Sequence, residues 1–254
     1  MSGVPVEPAQ MLAAGPAREP HVTVRERWAE CTNLPEKDPR KPIEFFNRQL
    51  NEELNVLENA ARNLADFPDA AWEVRMWLAR QCADEARHVV AYRRLLEARG
   101  GRFGDFPVLN FQYKLLGRIS TLIGRLAVQN RTFEADGLDA AAFGASAARQ
   151  AGDDELANLY ESQAADERMH VRFANEWIKA QVKKEPRLLL EVSRALTLGS
   201  RAFAWVFADG GTDVIKYPVA EEERLQAGFD AEEVRVAADM SRRRREEARQ
   251  RMSS

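Results

Sequence analysis

From residue 42 onward, apolar side chains return every three or four positions, the period of an amphipathic helix. In the first such stretch Ile43, Phe46, Leu50, Leu54, Leu57, Ala61 and Leu64 share one face. Phe67-Pro68-Asp69 ends it, with Asp69 placed to cap the next helix. The second stretch aligns Val74, Leu78, Cys82, Val89, Tyr92 and Leu96 and stops at Gly100-Gly101. A loop holding Gly104 and Pro107 leads to a third, where Leu116, Ile119, Ile123, Ala127 and Asn130 form the stripe. Gly137 and Gly144 weaken this helix, yet residues 138–150 are rich in alanine, so it is expected to run on to about Gln150. Gly152-Asp153 reads as a turn and a cap. The fourth helix sets Leu156, Tyr160, Gln163, Val171, Ala174 and Ile178 in register and ends before Pro186.

A fifth helix is expected from Pro186 to about Phe207, broken by Asp209-Gly210-Gly211. A last one starts near Asp230 and runs into the four arginines at 242–245. No strand-period segment of useful length occurs, so the class is all-α. Seven of the eleven prolines lie at positions 5, 8, 16, 20, 35, 39 and 42, which makes the start of the chain an extended arm. Trp28 and Leu34 are the residues placed to pin it. The expected organisation is a proline-rich arm over 1–41, a four-helix bundle over 42–184 and a helical extension over 185–254 that packs on the bundle.

Composition narrows the function. The chain has 254 residues and a formal net charge of -3, without the basic excess of a general nucleic-acid binder. Cys31 and Cys82 are its two cysteines, and no C-x-x-C pair exists to build a zinc ribbon or a rubredoxin-type iron site. A reducing cytoplasm is the default compartment. The start of the chain lacks a signal peptide's pattern. The most apolar late stretch is interrupted by Glu191, Arg194 and Arg201, so no membrane partner is expected.

Two of the three histidines sit in one frame, Asp84-Glu85-Ala86-Arg87-His88 and Asp166-Glu167-Arg168-Met169-His170. Glu and His three apart project from one helical face and can reach a single metal ion. Glu85 and His88 continue the stripe of Leu78, Cys82 and Tyr92. Glu167 and His170 continue that of Tyr160, Gln163 and Ala174. Glu53, between Leu50 and Leu57, and Glu134, following Ala127 and Asn130, also lie on inner faces, whereas Glu52 and Glu58 lean to the edge. Buried carboxylates need cations, and two divalent ions balance four of them. Residue 69 is the midpoint of Glu53 and Glu85, and residues 150–151 are the midpoint of Glu134 and Glu167, each at an expected turn. Each ligand pair therefore sits at one height, roughly 24 Å from its turn. His21, alone in the arm, is not read as a ligand.

This pattern resembles the ferritin-like superfamily of di-iron carboxylate proteins. The stretches FFNRQLNEELNVLE, CADEARHVVAYRRLLEARGG, RTFEADGLDA and EEERLQAGF resemble more closely a bacterial ferritin-like family of unassigned function, distantly similar to tRNA-modifying di-iron hydroxylases. The resemblance implies a ferritin-like bundle in which Glu85 and Glu167 bridge two iron ions, with Glu53 and His88, and Glu134 and His170, as terminal ligands. It implies that Asp84 and Asp166 orient the histidine of the opposite hairpin. The function it implies is an oxygenase or oxidase acting on a small organic substrate, with O2 as co-substrate and an external electron donor. Manganese can replace one iron. Leu57, Cys82, Leu126, Asn130 and Gln163 are the pocket-lining candidates, each weighed against plain core packing. Tyr92 and Tyr160 lie two turns from a bridging Glu and read as core tyrosines or redox groups. The other readings are iron oxidation, storage or peroxide removal, a tRNA-modifying hydroxylase using the arginines at 242–245, and a bundle that binds no metal. A homodimer is compatible with all of them.

Overall fold

A computed structural model describes residues 7–208 and 217–253, with the backbone alone for 244 and 247–253. The elements in chain order are α1 (Pro8–Met11), β1 (Val24–Arg25), α2 (Lys41–Asp66), α3 (Trp72–Ala98), β2 (Val108–Leu109), α4 (Phe111–Leu116) and α5 (Leu122–Val128). A π-helical turn, Gln129–Glu134, comes next, then α6 (Ala135–Ala151), α7 (Asp154–Lys184), α8 (Leu188–Val206), α9 (Glu221–Gln226) and α10 (Ala231–Ser253). Among the described residues the chain is all-α apart from the two-residue parallel pair β1 and β2. The break expected at Asp209-Gly210-Gly211 lies outside the described residues. The chain divides into two compact units, one of residues 1–125 and 194–210, the other of residues 126–193 and 211–254.

The first unit is built on the hairpin of α2 and α3. Its cross-contacts fix the register: Phe46 to Tyr92 (ring centroids 6.2 Å), Glu53 to His88 (3.3 Å) and Leu57 O to Cys82 Sγ (4.0 Å). All three pairs centre within two residues of position 69, the turn read from the sequence. The cap differs from expectation. Ala71 is the N-cap of α3, and Asp69 stands exposed in the preceding turn. The buried face of α2 differs too. Ala61 is exposed, while Asn47, Asn51, Asn55, Asn59 and Asn63, every fourth residue, are all buried.

That asparagine row serves the loop after α3, whose backbone needs partners once it is covered. Asn47 donates to Phe106 O (2.9 Å) and accepts from Gly104 N–H (2.8 Å). Asn51 donates to Leu109 O (2.9 Å), and Asn55 reaches Asn110 Oδ1 (3.3 Å). At the far end Arg125, itself buried, donates to Asn63 Oδ1 (3.1 Å) and Ile119 O (2.8 Å) and pairs with Asp66 (2.7 Å). Burial alone would raise the Asp66 carboxyl, but the Arg125 and Arg62 guanidinia hold it below its ordinary range.

The arm is packed into this unit. Met11, Leu12 and Val22 are buried, Ala13 N–H bonds Lys114 O (2.8 Å), and Arg18 pairs with Glu58 (2.6 Å). Trp28 lies 5.7 Å from the Phe207 ring with Arg48 4.6 Å above it. Leu34 is pinned through its backbone N–H to the buried Glu44 carboxylate (2.9 Å). The third stripe does not form one helix. Leu116 ends α4, Ile119 lies in the break, and Thr121 Oγ1 accepts from Gly124 N–H (3.3 Å) to start α5. The arm passes close to the end of α4: a Cβ at Gly117 would stand 2.6 Å from Ala13 Cβ.

The second unit is built on α6 and α7. Gly144 against Tyr160, Arg149 against Asp154 (2.8 Å) and Glu134 against His170 (3.9 Å) all centre within two residues of the expected midpoint. Gly152, at φ 76°, closes α6, and Asp153 caps α7 through Leu156 N–H (3.0 Å), as read from the sequence. Segment 220–234 is clamped on by buried charge. Arg224 bonds Asp139 (2.6 Å) and Asp136 (2.8 Å). Arg131 pairs with Asn175 and Glu233 and stacks 4.8 Å from the Phe229 ring. Burial raises the Glu233 carboxyl, but Lys179, the Asp230 N–H and Arg131 outweigh it and bring it down to about 2.

Gly137 has open space at its Cβ position, whereas at Gly144 a Cβ would stand 2.9 Å from the Tyr160 ring. Gly137→Ala should therefore raise unfolding stability by about 0.5–1 kcal/mol, and Gly144→Ala should lower it by about 1 kcal/mol or more. Equal effects in urea titrations would contradict the packing. Because the folded Glu233 carboxyl is depressed, its contribution is full above about pH 4.5 and fades as pH falls toward 2. Glu233→Gln should cost about 1 kcal/mol at neutral pH, after solvent screening, and nothing near pH 2. A pH-independent cost in denaturant midpoints would contradict the ion-pair account.

Candidate metal centre

The six acids and histidines read from the sequence fall into two triads, one in each unit. In the first unit α2 supplies Glu53 and α3 supplies Glu85 and His88, and none is more than 6% exposed. His88 Nδ1 lies 3.0 Å from Glu85 Oε2 and 3.3 Å from Glu53 Oε2. In the second unit the π-helical turn supplies Glu134 and α7 supplies Glu167 and His170, with none more than 4% exposed. His170 Nδ1 lies 3.5 Å from Glu167 Oε2 and 3.9 Å from Glu134 Oε2. In each triad every residue offers a ligand atom within 4.8 Å of those of the other two.

The donor chemistry fits a divalent cation. One imidazole nitrogen carries at most one proton and cannot satisfy two carboxylates, whereas one ion can bind all three. Two ligands at right angles, each ~2.1 Å from an ion, are ~3.0 Å apart. The first triad matches that spacing and the second is slightly wider. Carboxylate oxygen and imidazole nitrogen suit iron and manganese alike. Each triad is therefore a buried Glu/His cluster able to hold a metal ion.

Local structure explains why each group points inward. Glu85 and His88 follow Leu78 and precede Tyr92 on the buried face of α3. Glu134 owes its placing to the widened turn. Thr132 Oγ1 donates to Ala127 O, five residues back (3.0 Å), while Arg131 is tied outward to Asn175 and Glu233. π-turns inside α-helices recur at functional sites. The sequence reading missed this turn, because an α-helix with a single insertion keeps an almost helical apolar period.

Asn130 is buried and donates to Glu134 Oε2 (2.9 Å), so this lining candidate holds a ligand carboxylate in place. Leu126 and Gln163 are buried, and Cys82 packs against Leu57. Asp84 is buried, 3.4 Å from Arg80, and also bonds Arg87 on its own helix, and Asp166 is half-buried. Tyr92 is fully buried against Phe46, and Tyr160 packs on the core of Ala135, Leu138, Ala141 and Val171. His21 binds Phe103 O (3.0 Å) at the surface. Among the described residues no helix is long and apolar enough to cross a membrane.

No curated protein and no solved structure matches the chain. Residues 4–235, which include both triads and the clamped segment around Arg224, match the model of one protein family. The chain belongs to that family, described as Protein of unknown function (DUF455).

Proposed function

We propose that the two triads together hold one pair of iron ions and that the protein is an O2-activating oxidoreductase for a small organic substrate. The observation that carries this reading is the repetition. Twice, a histidine Nδ1 is set among two buried carboxylate oxygens, one of them three residues away on its own helix. Four carboxylates and two neutral imidazoles carry four negative charges, which two divalent ions cancel. Within each hairpin the ligands lie at a like distance from their own turn, as a shared centre would require.

In this reading Glu53, Glu85 and His88 would hold one ion and Glu134, Glu167 and His170 the other. Such a pair would supply electrons for the reduction of dioxygen. The chain's own residues keep the site dry and fixed. Asn130 fixes Glu134 by its amide N–H. The buried Leu126, Leu78 and Tyr92 exclude water from the ligand level. Asp84 and Asp166 serve as outer partners of the histidines. A tRNA substrate is disfavoured because the chain, at a net charge of -3, has no general basic excess.

Anaerobic Fe(II) loading followed by O2, watched by absorption, tests the proposal. About two irons per chain and an O2-dependent absorption change are expected, both lost in His88→Ala and Glu167→Ala. An unchanged response in both variants rejects the site. Oxidation that proceeds with iron or peroxide alone and is never quickened by any organic substrate favours the iron-oxidising reading. Asn130→Leu, similar in volume, should weaken iron retention about tenfold or more against a chelator. Unaltered retention would remove Asn130 from the account.

A further inference from the structure

The outer face of α3 carries a row of exposed apolar residues, Trp72, Met76, Ala79, Ala83, Ala86 and Val90. Their spacings alternate four, three, four, three and four. That is the 3.5-residue repeat of a helix packed against another helix. Trp72 is 67% exposed, Met76 43% and Val90 47%. A solvent-facing stripe usually carries charge instead. The two ends of the row differ in shape. Trp72 projects at one end, and at the other an open hollow of about 510 Å³ is lined by Ala86, Arg87, Val90, Ala91 and Arg94.

We propose that a second copy of this chain docks here, α3 against α3, antiparallel about a two-fold axis. In the register that fills every layer, Trp72 of each copy meets Val90 of the other, Met76 meets Ala86, and Ala79 meets Ala83. Trp72 and Met76 then face smaller residues, and alanine meets alanine at the centre, where the helices can approach closely. The indole enters the hollow between the Arg87 and Arg94 guanidinia, where cation–π attraction adds to burial. A two-fold interface pairs one patch with itself, so it needs a helix whose ends complement each other, and this one qualifies. Charge agrees with shape. The same register brings Glu73 toward Arg87 and Arg94 of the other copy, twice by symmetry. Arg80, near the axis, faces its own image, and Asp84, 3.4 Å away and shared with Arg87, offsets part of that repulsion. The seam is ~27 Å long, and the dimer is expected to form at micromolar concentration.

Sedimentation velocity of the full chain, from about 1 to about 100 µM, reads the result. A concentration-dependent dimer is expected, weakened about tenfold or more by Trp72→Ala and by Val90→Glu while the circular dichroism stays unchanged. Glu73→Arg and Arg94→Glu should each weaken association, and the two together should restore part of it, which fixes the antiparallel register. Both charge variants alter exposed side chains, so they decide the matter even if Val90→Glu disturbs folding. A monomer at every concentration overturns the proposal and leaves the face to a different partner. A dimer indifferent to all four substitutions also overturns it.

Discussion

The structure depends on the cost of burying negative charge. Glu53, Glu85, Glu134 and Glu167 are almost wholly removed from water. An ionised carboxylate in that setting costs several kcal/mol unless something positive meets it. Each hairpin brings two of them to one imidazole nitrogen, at 3.0–3.9 Å. A single proton on the ring nitrogen cannot satisfy both carboxylates of a set. The ligand faces of α2, α3 and α7 could therefore hold a cation, and the register within each hairpin brings its own carboxylates and imidazole together.

The same cost orders the rest of the chain. Away from the triads, several buried polar clusters are closed by specific partners. The asparagine row of α2 satisfies the loop backbone. Arg125 ties the start of α5 to Asn63 and Asp66. Arg224 neutralises Asp139 and Asp136 and so fastens α9. Arg131 matters most for the site. Its ties to Asn175 and Glu233 hold the outer side of the π-turn while Glu134 occupies the inner side. The clamped late segment thus supports a ligand from behind, although it supplies none of its own.

Much of this was legible in the sequence. Glu-x-x-His on an apolar stripe is a direct statement that charge points into a core, and both triads follow from it. The hairpin midpoints were legible because a helix has a constant rise. Other features were hidden by near-degenerate patterns. The asparagines at every fourth position of α2 look like a solvent face until a loop is laid over them. The break between Leu116 and Thr121 keeps its apolar content, and the approach of Ala13 to Gly117 beside it joins positions 104 apart in the chain. The π-turn shifts the period by one residue, too little to read from a single sequence. Asp69 failed as a cap because the turn runs two residues longer than its side chain suggested.

The central claim is that both triads bind metal as one centre. Titration with Mn(II), followed by electron paramagnetic resonance, tests it most directly, because two ions sharing bridging carboxylates couple magnetically and isolated ions do not. The account predicts uptake of about two ions per chain with the spectrum of a coupled pair. No uptake, or two ions that keep the spectra of isolated Mn(II), would contradict it.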